Sequence, residues 1–322
     1  RDRTVTAGDA HQIKLTQQPS TLTAGSSFSP AARVEIRDRW NNLVTAGTQS
    51  LKVSLVANAT TTSTNPISVL QSETATVSTT SGVATITTPG FTLAGTNKML
   101  VTDSAGILVQ ELSNSFTINA ANPSQAVWVS GDTVSGSVSR TALSDQPQVE
   151  IRDAFGNRVL TDNDTTVTLA AEAVDGTGQI NQTSGQTLKV TTGRAVFTNF
   201  AIGAKAANYR LIISTAVNSN GFTVTPSLVK SNNFAITNGA AHSIQVTTSA
   251  SGAKAGKAFS TQPVIEVLDI DGSVVLNSNH TVRLSATGYT TVGTASKSVQ
   301  NGVANFSGLG AGLSGVEGTV TV

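Results

Sequence analysis

The sequence predicts an all-β chain of three tandem sandwiches, the third lacking its closing strand, and three observations lead there. First, the stretch VEIRDAFGNRV, Val149 to Val159, has counterparts in VEIRDRWNNLV (Val34 to Val44) and IEVLDIDGSVV (Ile265 to Val275), at intervals of 115 and 116 residues. A period that long marks copies of a whole domain, since solenoid repeats run roughly 20–50 residues. Second, apolar and polar residues alternate within each copy, as in a strand with one buried face. Third, a turn follows each time: Asp153, Gly156 and Asn157; Asp38, Asn41 and Asn42; Asp269, Gly272 and Ser273. Asp bonds its own nearby backbone and Gly or Asn tolerates a positive φ, so the chain reverses here. It returns on a second alternating run, Val167 and Leu169, Val53 and Leu55, or Val282 and Leu284.

Taken in order, residues 1–9 align with the stretch around Asn238, at an offset of 231. Thr4, Val5 and Thr6 then match Ala235, Ile236 and Thr237, so Arg3, Thr4, Val5, Thr6 and Ala7 read as the closing strand of a preceding or neighbouring domain. Unit one spans residues 10–120 and closes with SNSFTI, Ser113 to Ile118. Unit two spans 121–238 and closes with SNNFAI, Ser231 to Ile236. GVATI (Gly82 to Ile86), GRAVF (Gly193 to Phe197) and GVANF (Gly302 to Phe306) are equivalent strands. Unit three spans 239–322. Its Gly318 to Val322 aligns with Tyr209 to Ile213, and no counterpart of the closing strand follows. The links NAANP and NGAA are short, so neighbours should stack end to end. At ~3.3 Å per residue that predicts an elongated rod of about 100 Å.

Composition excludes several functions. Charged residues are 12% of the chain, about half the usual ~25%. The net charge of +1, with no Lys/Arg cluster, argues against nucleic acid and anionic membranes as partners. Cysteine is absent, which removes disulfides, thiolate metal sites and Cys nucleophiles. That absence, with the Thr/Ser-rich strands, fits an exported prokaryotic product and an extracellular or cell-surface location. No apolar run approaches the ~20 residues of a membrane span. A start at Arg1 rather than Met suggests a processed product or an excised piece.

At Val149, Ile151, Asp153, Gly156, Asn157 and Val159, and again at Asn301, Gly302, Ala304 and Phe306, the chain resembles the bacterial immunoglobulin-like tandem repeat domains of invasin- and intimin-type surface proteins. Trp40 and Asn41 in unit one, and Ser273 in unit three, depart from that pattern. The resemblance implies immunoglobulin-like sandwiches and leaves function open, because such domains serve as spacers, stalks, decorations and fibre subunits.

Candidate chemistry is sparse. His11 and His242 share one repeat position and His280 stands apart; no G-x-S-x-G, H-E-x-x-H or phosphate loop is present, so no enzyme is expected. Asp269 with Asp271, and Asp162 with Asp164, offer oxygen ligands for Ca²⁺, but two carboxylates are thin against ~6–8 oxygens. Turn formation explains both pairs, and no cofactor is expected. An internal Lys–Asn isopeptide bond needs a buried carboxyl group, whereas alternation turns Glu35, Glu150 and Glu266 outward. Trp40 lies at a hairpin tip, as a contact residue or folded back on its own unit; Trp128 aligns with the inward Leu15.

The strand mismatch carries the sharpest expectation. An open sandwich at Thr319, Val320, Thr321 and Val322 would accept the strand Arg3 to Ala7 of another molecule by β-strand addition. Val5 would be the anchor, with Arg3 a poor match for Phe234. Head-to-tail repetition gives an open filament. The first reading is therefore an extracellular structural protein, a subunit of a surface fibre whose partners are its own copies or adjacent domains of a longer chain. The second is a stalk segment of a large adhesin, with its binding tip elsewhere facing a host or neighbouring cell. The third is a glycan-binding module, for which 4% aromatics supply no platform.

Overall fold

A computed structural model of the chain describes residues 3–57, 71–174, 178, 180–183, 186–215, 218, 220–226 and 229–316. Among these residues the regular elements are all strands, and no helix is long and apolar enough to cross a membrane. Three hydrophobic cores follow one another along the sequence.

In unit one, Gln12–Gln17, Ala32–Arg37 and Val83–Ile86 form one sheet. The facing sheet runs Leu22–Thr23, Phe116–Asn119, Gly95–Asp103, Ser50–Ala57, Gln71–Ser78. Alternation decides which residues enter the core: Ala32, Val34 and Ile36 are buried from one sheet, Leu51, Val53 and Leu55 from the other. Unit two repeats the plan with Gln125–Ser130 and Gln148–Arg152 facing Thr166–Ala173 and Ala207–Thr215.

The closing strand seals each complete core. Phe116 meets Phe28 edge-on at 5.5 Å between ring centroids, and Phe234 is buried at the equivalent place in unit two. The Ser of the repeated Ser-Asn motif explains its position: Ser113 and Ser231 accept the N–H groups of Met99 and Leu211, each at 2.8 Å. Their hydroxyls donate to the next carbonyls, of Asn114 and Asn232.

Among the described residues, the core of unit three consists of Ile265, Val267, Val275, Val282, Val299, Ala304, Phe306 and Ala311. Register makes Ile13, Ala126 and Ile244 equivalent, and likewise Leu15, Trp128 and Val246, because they pair with matching residues of the neighbouring strand. The first two of each trio are buried, while Ile244 is 62% and Val246 50% exposed. No strand equivalent to Phe116–Asn119 lies over them among the described residues.

The equivalent GVA and GRA strands begin with a two-residue turn in which both φ are positive: Ser81 and Gly82 (49°, 75°), Thr192 and Gly193 (48°, 71°), Asn301 and Gly302 (50°, 79°). Such turns suit the twist of a hairpin. The glycine carbonyl accepts Ile36, Ile151 or Val267 N–H at 2.8 Å. A Cβ on Gly193 would collide with the Val159 carbonyl oxygen, so the turn is locked against the returning arm of the repeated hairpin.

One expectation fails in part. Glu150 does lie opposite Val149 and Ile151, yet it is buried rather than solvent-facing. Arg152 and Arg194 hydrogen-bond its carboxylate and Arg158 approaches to 3.8 Å; alternation gives the face of a side chain but not what folds over it. Burial pushes its carboxyl up, and the two hydrogen-bonding guanidiniums outweigh that and leave it below its ordinary value. The lysine–carboxylate pairs Lys14–Glu111, Lys189–Asp164 and Lys230–Glu172 all have exposed lysines.

Two substitutions test the turn. Gly193→Ala adds strain at a positive φ and the carbonyl collision, and should destabilise unit two by on the order of 1–3 kcal/mol. Ser81→Asn suits its turn position better and should stabilise unit one by roughly half a kcal/mol. Denaturant midpoints check both, with Trp128 in the unit-two core reporting on the first.

Candidate interaction sites at the joints between units

Each repeated hairpin contains a buried aspartate, Asp38, Asp153 or Asp269, with its two oxygens divided between two tasks. Oδ1 accepts the N–H groups two and four residues on: Trp40 and Asn42 (2.9 and 2.8 Å), Phe155 and Asn157 (2.9 and 2.8 Å), Asp271 and Ser273 (3.0 and 2.8 Å). This closes the turn by the usual side-chain mimicry of a backbone acceptor. Oδ2 accepts an N–H from the segment leading into the unit: Gly8 at 2.9 Å, Ala121 at 2.8 Å, Gly239 at 2.7 Å. One carboxylate thus shapes the hairpin tip and fixes the chain that enters its unit. The Asn42 amide, together with the N–H groups of Gly8, Asn42 and Trp40, outweighs burial and holds Asp38 at about 2.

The residues two and four beyond the aspartate reach into the preceding unit. At the first joint, Asn157 donates Nδ2 to the Thr92 carbonyl (2.7 Å) and accepts Ala94 N–H at Oδ1 (2.9 Å). The Phe155 ring lies over Gly25, where a Cβ would come within 2.5 Å of the ring Cζ. At the second joint, Ser273 Oγ accepts Ala206 N–H (2.7 Å). The Asp271 carboxylate, with no side-chain exposure, accepts Ser139 Oγ (2.5 Å), Arg140 Nε (3.0 Å) and Arg140 Nη2 (2.7 Å). That pairing raises Arg140 further above its ordinary value.

The two receiving surfaces correspond at two places. Gly25 and Arg140 both have positive φ (76° and 62°), and their N–H groups donate to Phe91 and Ile202 (2.8 and 2.9 Å). Ala94 and Ala206 each precede the residue paired with Ile118 or Ile236 of the closing strand. Clefts of about 590 and 570 Å³ flank the joints, the first bordered by Asn157 and Ala94, the second by Asn238 and Gly239.

The residues singled out from sequence are placed as follows. Asp269 and Asp271 are brought together, with their oxygens engaged by the turn, the linker and the Ser139–Arg140 pair. Asp162 accepts Asp164 N–H, Thr165 N–H and Thr165 Oγ1, while Asp164 pairs with Lys189 at 2.8 Å. Trp40 is 75% exposed, its ring edge beside Gly8. Arg3 to Ala7 are exposed and form no strand, Val5 at 90%. Thr319, Val320, Thr321 and Val322 lie outside the described residues. Trp128 belongs to the unit-two core. His242 and His280 border a cleft of about 380 Å³ beside Ile244, far along the chain from His11. The sequence reading missed the joint-forming roles of Phe155, Asn157, Arg140 and Ser273. The available signal was that the aspartate is the same in all three hairpins, while the positions two and four beyond it vary.

The depressed Asp38 carboxyl gives a pH prediction. Its folded value of about 2 lies below the ordinary ~3.9, so its contribution to stability is complete above pH ~4 and is lost as pH falls toward 2. Asp38→Asn should remove that part of the acid dependence of unit-one unfolding, measured by urea titrations between pH 2 and 5. At the second joint, Arg140→Ala leaves Asp271 without its cation and should open the contact. Faster protease cleavage at residues 238–240, with residues 120–122 unaffected, is the expected readout; unchanged cleavage would show the pair to be incidental.

No family model and no curated protein matches the chain. Among solved structures it is similar to InvD of Yersinia pseudotuberculosis (16% identity over 96% of this chain and 83% of that one, TM-score 0.33). It is also similar to the Escherichia coli adhesin FdeC (15% identity, 98% and 93%, TM-score 0.36) and to the Y. pseudotuberculosis adhesin InvE (15% identity, 87% and 66%, TM-score 0.26). FdeC and InvE are described as adhesins; at such scores the likeness carries none of the argument that follows.

Proposed function

We propose that the chain is a structural segment of a prokaryotic surface protein, a serial array of immunoglobulin-like sandwiches that spaces a binding part away from the cell. The observation that supports this reading is the joint built twice from equivalent residues. In each, a buried aspartate ties the incoming linker to a hairpin that inserts into the preceding unit. Domains that merely share a chain have no need of such fixed contacts, since small polar interfaces leave relative motion as the default. A sparsely charged, Ser/Thr-rich, cysteine-free chain suits an exported spacer. A stalk of this kind gives a definite outcome: the purified chain fails to bind host cells or a glycan array, while Asn157→Ala with Arg140→Ala broadens its scattering-derived distance distribution. Specific binding by the intact chain would overturn the spacer reading.

A second reading, strand addition between molecules into a fibre, draws on the exposed Ile244 and Val246. Their counterparts Ile13, Leu15, Ala126 and Trp128 are buried in units one and two. Filaments seen by electron microscopy, and lost on deletion of residues 1–7, are its expected result; filaments that survive the deletion would refute it.

A further inference from the structure

The two joints differ in a way that amounts to a pairing rule. In the first, an aromatic tip residue, Phe155, lies on a socket whose central residue is glycine, Gly25. In the second, an acidic tip residue, Asp271, enters a socket whose central residue is arginine, Arg140, with Ser139 beside it. Size and charge are thus matched across each contact: a Cβ at position 25 would strike the ring, and a glycine at position 140 would leave Asp271 buried with one partner fewer.

Among the described residues there is one more tip and one more socket. The tip is Trp40, two residues beyond Asp38, held by a fully bonded turn and 75% exposed. The socket is at Gly256. Its N–H donates to Leu313 (2.9 Å) as Gly25 and Arg140 donate to Phe91 and Ile202, and its φ is +70°. Three residues on, Phe259 N–H donates to Ala311 (2.8 Å), as Phe28 and Leu143 N–H donate to Thr87 and Phe200. A Cβ at Gly256 would find nothing within 4 Å. Both are of the aromatic-on-glycine kind.

We infer that the Asp38–Asn42 hairpin is a docking tip for a glycine-centred socket of this same domain type, and that the Gly256 socket of a second copy of the chain receives it. Trp40 takes the place of Phe155, and the Asn42 carboxamide takes the backbone-bridging place of Asn157. The joint uses the serial-array reading, and it extends strand addition by placing Arg3 to Ala7, just ahead of Gly8, where Phe116–Asn119 and Phe234–Thr237 precede the existing joints.

Sedimentation velocity of the full chain across a concentration series, with acrylamide quenching of tryptophan, tests this. Concentration-dependent association is expected, with Trp40 becoming less quenchable. Trp40→Ala and Gly256→Arg should each weaken association by on the order of 10-fold or more, the scale of an interface hot spot. Trp40→Asp combined with Gly256→Arg should restore it, by copying the Asp271–Arg140 chemistry; Trp128 fluorescence verifies that each variant is folded. A chain that stays monomeric at every concentration overturns the inference. So does association indifferent to both single substitutions. Loss of association on deleting residues 1–7, with Trp40→Ala silent, would keep strand addition and end the tip-and-socket contact. The reverse pattern would keep the contact and end strand addition.

Discussion

The arrangement depends on one bidentate carboxylate repeated three times. A hairpin tip without it would have two N–H groups unpaired, and the segment entering the unit would lose this fixed point on that unit. Because the same side chain satisfies both, turn shape and linker position cannot vary independently. The residues two and four beyond the aspartate are then aimed in a fixed direction, which is what allows Phe155 and Asp271 to reach the preceding unit at all. An uncharged acceptor in its place would make weaker contacts, since hydrogen bonds to an ionised group are about twice as strong as neutral ones.

Much of this was legible in the sequence and some was not. The hairpins, the equivalent GVA and GRA strands and the inward residues follow from a period of two, because a pleated strand offers only two faces. The offset of 231 residues also holds at the backbone: Gly8 and Gly239 donate to equivalent aspartates. Contacts between units follow no such periodicity. Asp271 reads as an ordinary turn residue, or as half of a metal site, until Arg140, far away in sequence, is seen beside it. Glu150 illustrates the same limit inside one unit, since three arginines from different strands and turns converge on it.

The third unit separates what is local from what is not. Its two-residue turn, its hairpin and its linker contact are formed as in the others, so these are local devices. Burial of the strand Ala241–Thr248 is not local. Ile244 and Val246 occupy the register of core residues and remain open to solvent, whereas their counterparts in units one and two are buried. Secondary structure and core completion are separable in this fold.

The complementarity at the joints also bears on how such an array can lengthen. A tandem copy of unit one would present an indole to a glycine and fit at once. A tandem copy of unit two would drive the Phe155 ring onto the residue at position 140, where an arginine side chain stands. Duplication of the first unit therefore keeps an aromatic on a glycine, whereas duplication of the second exchanges a carboxylate for a ring opposite arginine, and the order of domains along the chain is written in a few side chains at their ends.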